Sequence, residues 1–250
     1  MANEIMTLSP AQVSVPTPEA VHDLLVELSD IGGDLELGRI KLASSGLPVF
    51  EVVEPGSDDS DTPKTIDAVI LFAQKQNVRW PADSNTVGGQ LPECRSNDGI
   101  TGYDQAGMAL DCASCPMNQF GSAPNGGKAC KNTVVLYLIR PADGDRPADL
   151  LPLKMVLPAT SIRSFNNYRL MLATRGAKMP GVLTRLSVNK AQNKAGVAYG
   201  EAAFKLAGKL PEDQAVVMNN YAETFKAQMM PKPGVPAGFQ QIVDEEDSPF

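Results

Sequence analysis

The sequence predicts an α+β fold built around a small β-barrel or curled antiparallel sheet, with helices at its flanks. Three observations support this: seven or so segments have strand composition, few stretches have helical periodicity, and one helix lies among the strands. At 250 residues and 43% hydrophobic, the chain can bury a substantial core, as one elaborate domain or as two smaller ones.

Three stretches are predicted to be helices. Residues 18–30 begin with a proline, which suits a first turn, and repeat apolar residues at helical spacing until a glycine pair ends the helix. Ser161 is predicted to cap a middle helix that ends at Gly176. Residues 211–229 have the pattern of a last amphipathic helix.

The predicted strands are apolar or alternating segments separated by Gly, Pro and Asp. They are residues 37–42, 49–53, 66–72, 133–139, 153–157, 182–188 and 197–206. The last two are predicted to form a β-hairpin whose polar turn carries Lys190 and Lys194. A helix among such strands fits an oligonucleotide-binding (OB-like) barrel, although the strand connectivity stays open at this point.

All four cysteines lie within one stretch of the chain, with the spacing C-x17-C-x2-C-x14-C. They are Cys94, Cys112, Cys115 and Cys130. A Cys-x-x-Cys turn lets two thiolates meet one metal ion, and two outlying cysteines complete a tetrahedron. The sequence therefore predicts one structural zinc ion in a four-cysteine loop inserted at about 80–132. An iron–sulfur cluster, unconnected buried thiols and a redox pair are the alternatives.

Catalytic motifs are not evident in the sequence, so an enzyme is not expected. The only histidine, His22, has no acidic residue two positions later, as a zinc deaminase would need, and a lone histidine argues against the usual triads. The segment 121–128 lacks the spacing of a phosphate-binding loop. A two-metal nuclease would need carboxylates in a motif that we do not find.

The charges are segregated along the chain, although the formal net charge is −7. Residues 1–121 hold 6 Lys or Arg against 18 Asp or Glu, whereas residues 122–232 hold 16 against 7. Residues 233–250 add four carboxylates. Because a phosphate responds to the local field rather than to the global sum, the basic half could hold a nucleic acid if its charges share one surface.

Binding a single strand without sequence preference needs cations for phosphates and planar groups for bases. The basic half and the tryptophan before the cysteine loop supply both kinds of side chain. The predicted nucleic-acid-binding residues are Trp80, Lys128, Lys131, Arg163, Tyr168, Arg169, Arg175, Arg185, Lys190, Lys194 and Tyr199. Ordinary core packing is the alternative for each aromatic residue.

The chain ends in an acidic run followed by Pro-Phe, after a Pro- and Gly-rich spacer that begins near residue 231. We predict a globular nucleic-acid-binding domain over 1–230 and a flexible, partner-binding tail over 231–250. The tail residues predicted to contact a partner are Asp244, Glu245, Glu246, Asp247, Pro249 and Phe250.

This ending resembles the C-terminal tip of bacterial and phage single-stranded DNA-binding proteins. The resemblance covers Asp244 to Phe250 only. It implies a tip that recruits replication and repair proteins and that competes electrostatically with DNA for the protein's own basic surface. The expected protein is of phage or mobile-element type and coats single-stranded DNA in replication and recombination, as a monomer or a homo-oligomer.

The alternative is a zinc-loop adaptor that binds host replication or repair proteins through its tail without touching DNA. The sequence has no apolar run long enough to span a membrane and no signal-peptide pattern at its start. We therefore expect a protein of the reducing cytoplasm, with cysteines acting as thiolates and no membrane partner.

Overall fold

The computed structural model describes residues 6–9, 11–31, 37–43, 47–57, 59–81, 91–192, 196 and 198–229. Contacts divide the chain into two compact units. Among the described residues, the first unit comprises those from 6 to 73 and from 135 to 227, and the second comprises those from 74 to 134 together with 228 and 229. The second unit contains the described part of the predicted insertion at about 80–132.

Three helices and eleven strands are present in the described residues. The helices are α1 (Pro18–Ile31), α2 (Ala159–Thr174) and α3 (Glu212–Met229). The strands are β1 (Arg39–Leu42), β2 (Phe50–Val53), β3 (Ser60–Asp61), β4 (Thr65–Arg79), β5 (Cys94–Ser96), β6 (Thr101–Asp104), β7 (Ala109–Asp111), β8 (Cys130–Ile139), β9 (Leu153–Leu157), β10 (Val182–Gln192) and β11 (Ala198–Lys209). None of these helices is long and apolar enough to cross a membrane.

The first unit confirms the predicted α+β class. Its strands are ordered β3-β2-β1-β9-β8-β4, and β4 also pairs with β10, which forms a long hairpin with β11. The pair β1–β9 runs parallel, so the sheet is mixed and the prediction of an antiparallel sheet is wrong for these strands. A parallel pair needs a crossover connection, and this one joins segments more than a hundred residues apart, beyond any local sequence signal.

A closed barrel is not formed by the described strands of the first unit, because no ladder joins β3 to β11. The sheet nevertheless curls. A Cβ placed on Gly200 of β11 would lie 3.8 Å from the Cβ of Leu42 in β1. The two strands therefore approach each other without hydrogen bonding as a pair.

Helix α2 packs against β9 and β11 of the first unit. Its buried residues recur at helical spacing, with Phe165 and Leu172 among them. Ser161 is not the helix cap, contrary to the sequence prediction. Pro158 occupies that position in an extended conformation, and the buried Ser161 hydroxyl instead accepts a hydrogen bond at 2.9 Å from the backbone N–H of Ala202. The hydroxyl thus ties α2 to the sheet.

The second unit is a three-stranded antiparallel ribbon, β5-β6-β7, added to the end of β4. Its described residues contain almost no hydrophobic core. Among the described residues from 74 to 134, the buried apolar side chains are Pro92, Cys112, Cys130 and Val134. A unit of this size without a core needs another source of stability, such as a disulfide or a metal ion.

Candidate metal centre

The four cysteines lie at the ends of the second unit's secondary-structure elements. Cys94 begins β5 and Cys130 begins β8, while Cys112 directly follows β7. Cys115 precedes a short 3-10 turn, Pro116–Asn118. All four are free thiols, and none forms a disulfide.

The thiols are close enough to affect one another's ionisation. Burial raises the pKa of the Cys94 thiol, and the neighbouring Cys112 and Cys115 raise it further. Burial raises the pKa of Cys130 to about 11, with added contributions from Cys112, Cys94 and Cys115. The ionisation of Cys94 and Cys130 is thus disfavoured, and a bound cation would favour it, since a thiol releases its proton to solvent when it coordinates a metal ion.

Gly102 of β6 lies directly beside two of the sulfur atoms. A Cβ on this residue would stand 2.9 Å from Cys94 Sγ and 3.6 Å from Cys112 Sγ. Only glycine leaves room for both sulfurs on this side of the ribbon. The contribution of Gly102 to the site is therefore space.

Polar side chains fix the turn that contains Cys112 and Cys115. The Asp111 carboxylate accepts hydrogen bonds from the Ser114 hydroxyl at 2.6 Å and from the backbone N–H groups of Ala113 and Ser114. These bonds, led by that of the Ser114 hydroxyl, lower the pKa of Asp111. The Asn118 side chain donates to the carbonyl of Cys112 at 2.7 Å. The turn is thus held by its neighbours as well as by its own backbone.

The donor set suits a closed thiolate site. Within the described residues, no three His, Cys, Asp or Glu side chains are grouped so as to enclose an ion as they stand. The sulfurs are nevertheless mutually close, as their shared effect on pKa and the space at Gly102 indicate. A thiol is repositioned by rotation about a single torsion, so sulfurs that already affect one another can turn toward one ion. Four thiolates match the preference of structural zinc.

Sequence reasoning found the four cysteines but not the residues that support them. Gly102 and Asn118 carry no signal that separates them from other loop residues, because their roles depend on contacts with the cysteines in the folded unit. An aspartate followed by a serine three positions later is a turn signal in retrospect.

The predicted DNA-binding cations of the first unit are mostly exposed. Arg163, Arg169, Arg175 and Lys190 are exposed, and none has a carboxylate partner among the described residues. Arg185 differs, because its guanidinium forms a bidentate pair with Asp67 of the adjacent strand, at 2.7 and 2.6 Å. The charge of Arg185 is therefore already compensated, which weakens its prediction as a phosphate ligand.

The aromatic residues predicted to stack on bases are less exposed than the predicted cations of the first unit. Tyr168 is 4% exposed, and its hydroxyl bonds to that of Thr184 at 2.6 Å. It belongs to the core, so the prediction that it stacks on a base is wrong. The helical periodicity of α2 indicates this burial, because Tyr168 lies three residues after the buried Phe165. Trp80 and Tyr199 are half-buried.

The remaining predicted residues are divided between the second unit and the undescribed part of the chain. Lys128 and Lys131 belong to the second unit, where Lys131 is exposed and Lys128 is half-buried. Lys194 and the predicted partner-binding segment from Asp244 to Phe250 lie outside the described residues.

Comparison of the chain with protein-family models, curated proteins and solved structures found no match.

Replacing Gly102 with alanine is expected to weaken metal binding. The added methyl group would stand 2.9 Å from Cys94 Sγ, so the sulfur must leave its position. Perturbing a residue that supports metal ligands costs about 10- to 100-fold in affinity. Competition with a chromogenic zinc chelator measures the change. Gly181→Ala is the control, because its Cβ would meet nothing closer than 3.9 Å; equal affinities for the two variants would contradict the expectation.

Proposed function

We propose that the protein binds single-stranded DNA through the basic residues of its first unit, with a zinc ion stabilising the second unit. The observation that carries this proposal is the set of exposed cations in the basic half that lack a carboxylate partner among the described residues. Arg185 differs from them, because it is paired with Asp67. Unpaired cations keep their charge available for phosphates.

These cations lie on α2 and on the β10–β11 hairpin. Arg163 and Arg169 are six residues apart on α2, which is about 9 Å along the helix axis and about 120° around it. The Arg169 guanidinium is 5.8 Å from the centre of the buried Phe165 ring, a contact that orients the side chain. Lys190 lies near the exposed end of the β10–β11 hairpin. If about five phosphates are neutralised, the log–log salt slope should be about −3 to −4.

Within this proposal, the first unit is an OB-like scaffold. The support is the approach of β11 to β1 at Gly200, which gives the sheet a curl of the kind that oligonucleotide-binding folds use. The acidic Pro-Phe segment from Asp244 to Phe250 then serves to recruit replication and repair proteins. Its resemblance to the tip of single-stranded DNA-binding proteins is the support for this part.

The double substitution Lys190→Glu with Lys194→Glu is expected to weaken single-stranded DNA binding and to flatten its salt dependence. Losing two phosphate contacts should reduce the slope by about 1.4, from the single-strand coefficient. Fluorescence anisotropy with labelled oligo-dT at several salt concentrations measures both quantities. The control is Lys64→Glu, which changes an exposed lysine in the acidic half. An unchanged slope in the double variant would show that the hairpin is not part of the binding surface.

Deleting Phe250 is expected to leave DNA binding intact and to abolish recruitment of other proteins. An aromatic anchor supplies most of the binding energy of a short tail, whereas the acidic residues mainly steer it. Pull-downs from bacterial lysate, with and without Phe250, test this. Phe239→Ala is a matched control, since it removes an aromatic ring before the acidic run. Identical captured proteins from the deletion variant and the intact chain would overturn the role of the tip.

A further inference from the structure

Phe120 of the second unit is the most exposed large apolar side chain among the described residues, at 82%. It lies in a part of the chain without carboxylates, because residues 112–142 contain no Asp or Glu. Single exposed apolar residues are common on protein surfaces and need no explanation alone. Two further features distinguish Phe120 from the others.

The first feature is that Phe120 is held on an ordered loop. The N–H of Gly121 donates to the carbonyls of Gly126 and Gly127, both at 3.0 Å. Gly121 has φ +87°, a conformation that favours glycine directly after the phenylalanine. The Ser122 hydroxyl accepts from the N–H of Ala129 at 2.9 Å and so closes the loop from the other side. The ring is therefore presented to solvent at little further cost in conformational entropy.

The second feature is a fixed positive charge beside the ring. The Lys128 ammonium is 5.3 Å from the centre of the Phe120 ring. It also donates to the side-chain oxygens of Asn118 at 3.3 Å and Asn132 at 3.2 Å. Asn132 is held in turn by Asn77, at 2.6 Å. These hydrogen-bond acceptors are neutral and position the ammonium, whose charge also lowers the pKa of the Cys130 thiol.

We propose that Phe120 and Lys128 form a binding point for one unpaired nucleobase and its phosphate. The ring offers a stacking surface to a base, since every base has a π-face, and the ammonium neutralises the adjacent phosphate. The lack of nearby acidic residues along this segment favours an anionic ligand over an apolar peptide. This inference depends on the proposed single-stranded DNA binding and adds a second contact point, within the second unit.

The test compares two probes on the full chain: a labelled oligo-dT and an abasic oligonucleotide of the same length. Phe120→Ala is expected to bind oligo-dT roughly 5- to 150-fold more weakly than the wild type. Binding of the abasic strand should not change, because it has no base to stack. Phe120→Tyr should bind like the wild type, since it retains the ring. Ile100→Ala removes another exposed side chain of the same unit, 67% exposed, and should have no effect.

Each outcome decides between the two proposals. If the wild type binds oligo-dT but Phe120→Ala binds it equally well, the stacking point is wrong and the proposed function stands. If Phe120→Ala loses affinity for both probes equally, the ring does not stack on a base and the inference is overturned. If the wild type binds neither probe at low salt, the proposed function fails, and the inference fails with it. Equal zinc content in wild type and variant excludes an indirect effect through the cysteines.

Discussion

Replacing Cys112 with serine is expected to release one zinc ion per chain and to unfold the second unit while the first unit stays folded. The reason lies in the distribution of buried side chains. The first unit has its own core, in which Phe50, Phe165 and Phe225 are fully buried. The second unit buries only two apolar side chains besides Cys112 and Cys130 in its described residues. Its fold should therefore depend on whatever joins the four thiols.

The size of this effect follows from the energetics of small zinc domains. Structural zinc sites supply roughly 10–16 kcal/mol of apparent binding free energy at neutral pH, which in a unit without a core is folding free energy. Removing one of four ligands should reduce metal affinity by more than the roughly 10- to 100-fold that supporting residues cost. The serine variant should therefore lose zinc during purification, and residues 91–134 should become sensitive to proteolysis.

Elemental analysis by mass spectrometry and limited proteolysis measure the two parts of this prediction. Met108→Ser is a suitable control, because it introduces a serine at an exposed site of the same unit. A wild-type protein without metal and with a protease-resistant second unit would contradict the prediction. Visible absorption together with bound iron would favour the iron–sulfur alternative instead.

A second large effect, on the stability of the first unit, is expected from replacing Arg140. Its side chain is only 10% exposed and bonds to Asp149 through Nε at 2.8 Å, with a further ion pair to Glu54 at 2.6 Å. Burial acts to lower the pKa of Arg140, but the hydrogen bonds to Asp149 and Glu54 outweigh it, so that the pKa is raised. The Asp149 carboxylate is also nearly buried and accepts from the backbone N–H of Arg140.

Arg140→Met should lower the free energy of unfolding by about 3–5 kcal/mol. The substitution keeps much of the apolar stem but leaves Asp149 buried without its main cation, which is the costly part. Arg146 contacts the same carboxylate at 3.3 Å but is more exposed, so it replaces little of this charge. Urea unfolding of the first unit, followed by circular dichroism, gives the difference.

Arg175→Met is the matched control for this substitution, since Arg175 is exposed and has no carboxylate partner among the described residues. It should change stability by no more than about 0.5 kcal/mol. Similar midpoints for the two variants would show that the buried ion pairs contribute little and that other contacts hold this region together.

Local patterns allowed much of the first unit to be predicted from the sequence. The strand at 153–157 and the helices at 18–30 and 211–229 agree with β9, α1 and α3 to within two residues. In each case apolar periodicity and a proline or glycine at the boundary gave the signal. The prediction that Ser161 caps α2 was wrong, because a serine near a helix start suits a cap as well as a buried contact. Its hydrogen-bond partner, Ala202, lies 41 residues later in the chain.

The second unit was harder to predict. Strands β5, β6 and β7 have three or four residues each, too few for an alternating pattern to be recognised, and the turns between them are held by Asp98 and Asp104. The pair Arg185–Asp67 was missed for a different reason, because 118 residues separate its members along the chain. The count of charges along the sequence does not show this pair, so Arg185 was predicted to bind phosphate.

The most direct measurement of the central claim is the affinity of the purified wild-type protein for labelled oligo-dT across a salt series. The account predicts binding at low salt and a log–log slope of about −3 to −4, with about five phosphates neutralised by unpaired cations. No binding at low salt, or an affinity that does not change with salt, would contradict it.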